Sequence, residues 1–173
     1  MHIYLLRHGI AVEPGTKGCR RDAERALTPE GLQKLLHTAA ALKALEISLD
    51  LILSSPYVRA RQTAELIASQ LGLGRKQLCL TDHLQPGASF RALVYEVGQI
   101  KTRPASLLLV GHEPDLSLIA SHLVAGSAKM RIELKKAGLI ALDAPSLRPG
   151  DAVLQFILTP RQMRLIAAAG SPE

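Results

Sequence analysis

Leu107-Leu108-Leu109-Val110-Gly111-His112-Glu113-Pro114 decides the fold class. Four apolar residues in a row, with no polar alternation, read as a strand buried on both faces. Such strands belong to sheets covered by helices, and Pro114 fits the first position of a helix running through Leu118, Ile119 and Leu123. The same alternation of short apolar runs and helical periods recurs in both directions. Ile3 to Leu6 and Asp50 to Leu53 read as strands, and Gln77 to Thr81 as a shorter one. Thr28-Pro29 starts a helix whose inner face carries Leu32, Leu35, Leu36, Ala39, Leu42 and Leu45. Ser55-Pro56 repeats that start ahead of Ala60, Ala64, Ile67, Ala68 and Leu71. Phe90, Leu93, Val94, Val97 and Ile100 mark a third helix after the Pro86-Gly87 turn. Leu139 to Leu142 and Val153 to Leu158 suit an antiparallel edge, and a short helix follows Pro160. The expected architecture is a three-layer α/β/α sandwich around a mostly parallel sheet, a single domain over 1–173.

The composition narrows the function classes. The chain has 173 residues, 47% hydrophobic and 21% charged, enough to bury a core without disulfide or metal staples. Aromatic residues make up 3%, with no Trp, so stacking platforms for single-stranded nucleic acid are scarce. The formal charge of +6 favours anionic partners without choosing among them. The two cysteines, Cys19 and Cys79, are too few and too isolated for a metal cluster and read as free thiols in a reducing compartment. The N-terminus lacks the regions of a signal peptide, and no window approaches the roughly 18 apolar residues of a membrane span. A cytoplasmic protein without a membrane or nucleic-acid partner is expected.

Three segments share one design, an apolar strand followed by a turn or helix start that carries His or Arg. They are Leu5-Leu6-Arg7-His8-Gly9, Leu53-Ser54-Ser55-Pro56-Tyr57-Val58-Arg59 and Val110-Gly111-His112-Glu113-Pro114. Ligands of open α/β sheets bind beyond the carboxyl ends of strands, where helix N-termini favour anions. If the three strands are neighbours, Arg7, His8, Arg59 and His112 meet at one anion site. A cation such as Arg59 in a first helical turn opposes the helix dipole at about 0.3–1 kcal/mol, a misfit that a shared anion removes. An exposed Arg with no partner is the plainer reading. His8 and His112 admit structural, metal-binding and nucleophilic roles. Metal binding lacks further ligands at suitable spacing. In the nucleophilic role one imidazole attacks phosphorus while the other donates to the phosphoryl group.

Four motifs in register extend this pattern along the chain. Leu6-Arg7-His8-Gly9 is followed by Asp22-x-x-Arg25-x-Leu27-Thr28-x-x-Gly31. Ser54-Ser55-Pro56-x-x-Arg59-Ala60-x-Gln62-Thr63-Ala64 and Val110-Gly111-His112-x-Pro114 complete it. In these the chain resembles the histidine phosphatase superfamily, and within it the small SixA-type phosphohistidine phosphatases. The resemblance implies a phosphoglycerate mutase-like fold, with strand order taken from the family. It implies His8 as nucleophile and Arg7, Arg59 and His112 as the phosphate clamp. It implies no metal and no organic cofactor, the cationic side chains neutralising phosphoryl charge. Arg20, Arg21, Asp22 and Arg25, in the loop after His8, read as bordering the site or steering an acidic partner, with a solvated loop as the equal alternative for the first two. The resemblance lends Asp22 and Arg25 a structural role.

The larger members use a carboxylic acid to protonate the leaving group, often from an inserted lid for which this chain has no obvious room. Glu113 is the nearest carboxylate in sequence, and reads either as that acid or as a cap for the helix at Pro114. Without an acid an alkoxide leaves poorly, whereas a protonated phosphoimidazole leaves readily, so the site should favour phosphohistidine. The expected partner is a phosphorylated protein, such as a histidine-phosphotransfer domain. A general small-molecule phosphomonoesterase is the alternative, and a non-catalytic phosphate- or nucleic-acid-binding module a third reading. Lys135-Lys136 and Lys129 with Arg131 read as an exposed basic face. His2, His37, His83 and His122 stand outside any motif.

Overall fold

The structure, a computed structural model, describes residues 1–16 and 18–170. Its centre is a six-stranded sheet of β1 (His2–Arg7), β2 (Leu51–Ser54), β3 (Leu78–Leu80), β4 (Ser106–Gly111), β5 (Leu139–Asp143) and β6 (Val153–Leu158), in the order β3-β2-β4-β1-β5-β6. β1, β2, β3 and β4 pair in parallel, while β5 runs antiparallel to both β1 and β6. β4 is buried at all six positions, as its unbroken apolar run requires. The expected sandwich with a mostly parallel sheet and an antiparallel edge is the observed one.

Alternate residues of the central strands feed two cores. Ile3, Leu5, Leu107 and Leu109 pack with Leu93 of α3 (Phe90–Gly98) and with Leu116, Ile119 and Leu123 of α4 (Asp115–Ala125). Leu6, Leu108 and Val110 face the other way. There they meet Ala39 and Leu42 of α1 (Pro29–Ala44), Ala60, Ala64 and Ile67 of α2 (Val58–Gln70), and Met163 of α5 (Pro160–Ala169).

Helix entries differ from the expectations in two places. Pro56 is not the first residue of α2, which starts at Val58 with Tyr57 as its N-cap residue. The Tyr57 N–H donates to Ser55 Oγ (3.3 Å), so the chain turns once more before the helix begins. Pro114 likewise precedes α4 as its N-cap residue. On α1 the buried stripe is Gly31, Leu35, Thr38, Ala39, Ala41 and Leu42, whereas Leu32, Leu36 and Leu45 are exposed. Leu36 lies four residues on from Leu32, on a row beside the inner one, and Leu45 is the C-cap residue.

α1 is fixed at its start by close backbone packing. Thr28 caps it by accepting the Gly31 N–H at Oγ1 (3.0 Å), and the Thr28 N–H donates to the Ile10 carbonyl (2.9 Å). A Cβ on Gly31 would stand 2.2 Å from that carbonyl oxygen. Gly31→Ala must therefore push α1 away from the loop after His8. We expect a loss of about 1–3 kcal/mol, read as a lower urea midpoint, together with reduced activity.

Candidate active site

β2, β4 and β1 are neighbours, so the ends that carry Ser54-Ser55, Gly111-His112 and Arg7-His8 converge. His8 is 6% exposed and lies against His112, ring centroids 5.1 Å apart. Its Nδ1 is 2.7 Å from the Gly9 carbonyl oxygen, which accepts only a proton, so Nδ1 carries the hydrogen and Nε2 the lone pair. Arg59 Nε–H donates to that Nε2 (3.2 Å).

Arg59 is 5% exposed on the second residue of α2, its guanidinium held on three sides. Beyond His8, its two terminal nitrogens donate to the Asp22 carbonyl (2.7 Å) and to Asp22 Oδ2 (2.8 Å), and the group lies 5.1 Å from the Tyr57 ring centroid. Asp22 also accepts from Arg25 (2.9 Å), whose Nε–H donates to the Val12 carbonyl (2.6 Å). The Arg25 hydrogen bond, with that of Arg59, holds the Asp22 carboxyl below its ordinary range. The segment that carries Asp22 and Arg25 is thus tied to the site, and Asp22 both borders it and holds Arg59 in place.

His112 is 3% exposed, with Nε2 2.9 Å from Ser55 Oγ. That hydroxyl accepts from Tyr57 N–H, and when it gives its own proton to Nε2 the imidazole proton lies on Nδ1. Among the described residues, the buried side-chain nitrogens and oxygens without a partner are His112 Nδ1, Arg7 Nε and Ser106 Oγ. Arg7 Nε is a donor, and His112 Nδ1 is one in that tautomer. Buried donors are normally satisfied, and the ligand that would satisfy both here is an anion. Arg7 is fixed from behind, its Nη1 donating to the Leu134 carbonyl (2.8 Å). The residues 134–138 lie against β1 through Ala137 N–H to the His8 carbonyl (3.1 Å) and Arg7 N–H to the Gly138 carbonyl (3.1 Å).

Three further hydrogen bonds explain two motif residues to which the sequence assigns no role. Thr63 Oγ1 accepts the Gly9 N–H (3.1 Å) and donates to the Arg59 carbonyl (2.7 Å), locking the turn after His8 to α2. Gln62 Oε1 accepts the Leu27 N–H (2.8 Å). Glu113, left open between acid and cap, has both carboxylate oxygens on Ser117: Oε1 accepts its N–H (3.1 Å) and Oε2 its hydroxyl (2.5 Å). That is capping geometry for α4. Among the described residues no group of three or more His, Cys, Asp or Glu is placed to hold a metal ion, and Cys19 and Cys79 are free.

Burial pushes the His8 pKa down to about 4; the Gly9 carbonyl opposes this, and Arg59, Arg7 and Lys136 reinforce it. Burial likewise takes His112 down to about 3, helped by His8, Arg59 and Arg7 against Asp22. Both rings are therefore neutral at pH 7. The unfolded chain takes up these protons near its ordinary value of 6.5, before the folded one does. Stability is therefore undiminished above pH 6.5 and declines as pH falls from there towards 4. Asp22 adds a loss only below the ordinary carboxylate range. We expect urea midpoints to fall between pH 7 and pH 5, and added phosphate to restore part of the loss.

Residues 3–85 match the model of the histidine phosphatase superfamily, branch 1. An uncharacterized protein of Picosynechococcus sp. is 35% identical over 86% of this chain and 88% of its own. The chain belongs to the histidine phosphatase superfamily. The phosphohistidine phosphatase SixA of Escherichia coli K12 is 23% identical over 97% of this chain and 99% of that one. The solved structure of the protein histidine phosphatase SixA complexed with tungstate shares the fold, with a TM-score of 0.80 and 22% identity over 93% of this chain and 98% of that one. Histidine phosphatases of this superfamily are phosphoric hydrolases, and the four residues picked out at the strand ends lie together in this one.

Proposed function

We propose that this chain is a metal-independent phosphohistidine phosphatase that acts on a phosphohistidine-bearing protein. The observation that carries the reading is His8, a neutral imidazole whose Nε2 lone pair points at a buried guanidinium, while Asp22 and Glu113 are engaged by Arg59, Arg25 and Ser117. A phosphoryl dianion entering here takes the donors of Arg59, Arg7 Nε and His112 Nδ1 on its oxygens. The tungstate held by SixA, a tetrahedral oxyanion, supports such a site.

Nε2 of His8 then attacks phosphorus, and the bond from phosphorus to the substrate imidazole breaks. The leaving ring departs as neutral imidazole because its other nitrogen is already protonated. Water next attacks the phosphoryl group on His8, the P–Nε2 bond breaks and phosphate leaves. The cations offset the charge that builds on the equatorial oxygens in both steps. Neither step asks for a general acid. Asp22 is held ionised by Arg25 and Arg59, and Glu113 is engaged by Ser117, so an alkoxide leaving group would go unprotonated.

Phosphate release in EDTA from a histidine-phosphorylated protein and from an aryl phosphate tests the reading. Preference for phosphohistidine, unchanged within about threefold in Glu113→Gln, is expected. Comparable turnover of the aryl phosphate, lost in Glu113→Gln, would make Glu113 the acid and the chain a general phosphomonoesterase.

A further inference from the structure

Beside the catalytic cluster, on the side of Arg7, lies an open groove of about 720 Å³. Arg7, Lys34, Lys135, Lys136 and Arg161 line it, against one carboxylate, Glu133. A second hollow of about 270 Å³ continues from it, sharing Lys34 and Arg161 and adding His37 and Arg164. We propose that this basic groove docks an acidic face of the protein that carries the phosphohistidine, a reading that rests on the function proposed above.

The charge is left uncompensated by the protein itself. Lys34 pairs with Glu30 and Lys135 with Glu133, but among the described residues no carboxylate pairs with Lys136, Arg161 or Arg164. Arg161 also sits in the first turn of α5, where the helix dipole disfavours a cation, and that turn holds no acidic residue. An anionic partner would remove both misfits.

The groove is held in fixed register with His8. Leu134 and Ala137, on either side of Lys135-Lys136, bond to Arg7 and His8. Arg7 itself is both groove floor and site residue. The opposite side of the site is different in kind: a small hollow of about 110 Å³ beside His112, lined by Phe90, Leu118 and Ile119 with His83 and His122. No Lys or Arg lines that hollow, so the two flanks differ in charge, which orients the partner as well as attracting it. The extent also matters. The cations come from α1, α5 and the turn before β5, a spread larger than one phosphoryl group engages and suited to a macromolecular face. No aromatic residue lines either basic hollow, so the base-stacking surfaces of a single-strand nucleic-acid groove are missing from it.

The test compares the wild type with Lys34→Glu/Arg161→Glu, and with the milder Lys34→Gln/Arg161→Gln in case charge reversal disturbs folding. The substrates are an acidic histidine-phosphotransfer domain, phosphorylated on histidine, and free phosphohistidine. Charge reversal is expected to lower kcat/KM on the phosphorylated domain by about 10- to 100-fold at low ionic strength, with the deficit shrinking as salt is raised. Turnover of free phosphohistidine should stay within about twofold, because neither residue touches His8. The Gln pair should show a smaller loss in the same direction. Fluorescence anisotropy of the unphosphorylated domain, with duplex DNA as competitor, measures docking without catalysis.

Equal losses on both substrates, or no loss on the phosphorylated domain, would overturn the proposal. So would duplex DNA that binds more tightly than the acidic domain and is released by the same substitutions. If the wild type hydrolyses neither the phosphorylated domain nor free phosphohistidine, the proposed function falls, while the anisotropy measurement still decides what the groove binds.

Discussion

Replacing His8 with Ala is expected to abolish phosphate release, a loss on the order of 10⁴-fold or more, while the chain still folds. His8 Nε2 is the nucleophile in the proposed reaction, and nothing nearby replaces it. His112 lies 5.1 Å away ring to ring, but its Nε2 is occupied by Ser55 Oγ, and in the tautomer that serves the phosphate clamp its Nδ1 offers a donor where a lone pair would be needed. The fold should tolerate the change because His8 makes few stabilising contacts. Its ring bonds to its neighbour's carbonyl and accepts one hydrogen bond from Arg59, and burial disfavours its charged form. The Ala variant should lose less stability than the wild type between pH 7 and pH 5, since one depressed histidine has gone. Labelling separates nucleophile from bystander: brief exposure to a ³²P-phosphohistidine substrate should leave base-stable, acid-labile label on the wild type and none on the variant. Retained turnover, or label on His112, would remove His8 from the proposed role.

Much of this arrangement was legible in the sequence, because it depends on local rules. The unbroken apolar run of Leu107 to Val110 needs a sheet covered on both faces, and β4 lies at its centre. Thr28-Pro29 and Pro160 each sit where capping and proline geometry place a helix start, and α1 and α5 begin there. Arg59 opposed the dipole of its own helix, and its guanidinium was found between His8 and Asp22. In each case the signal and its cause lie within a few residues.

What stayed hidden depends on contacts across the chain. The carbonyl of Leu134 fixes Arg7 from 127 residues away, and a backbone carbonyl leaves no trace in residue identity. Thr63 and Ser55 stand in the motifs, but which atoms they bridge follows only from the placing of α2 against the turn after β1 and of the end of β2 beside that of β4. Asp22 lies in a turn-rich loop where an acidic residue is ordinary, so sequence alone does not say which side chain it holds. Its bearing on the site comes from Arg59 reaching it across 37 residues. The positions of Pro56 and Pro114 were misjudged for a related reason. Both chain segments leave a buried strand end, and they turn once more before the helix starts.

Arg59→Ala is expected to lower kcat on a phosphohistidine substrate by about 10³-fold, the second largest effect at this site. Three nitrogens of the guanidinium are engaged, one on His8 Nε2 and two on Asp22, at 2.7 to 3.2 Å. An entering phosphoryl group takes the His8-facing donor while Asp22 keeps the far edge in place, so the clamp forms without reordering the side chain. Arg59→Lys should recover little, about 10²-fold below wild type, because an ammonium cannot span His8 and Asp22 together. Asp22→Asn leaves the clamp present but loosely held, with an expected loss nearer 10-fold. The double variant Arg59→Ala/Asp22→Asn should then be no slower than Arg59→Ala alone, since Asp22 acts through the guanidinium that is gone. The acid limb gives an independent readout. Arg59 helps hold the His8 pKa down, so the limb of kcat/KM should move up in pH in Arg59→Ala, whereas a substitution that only destabilised the fold would leave it in place. Additive losses in the double variant would mean that Asp22 reaches the reaction by a route other than Arg59.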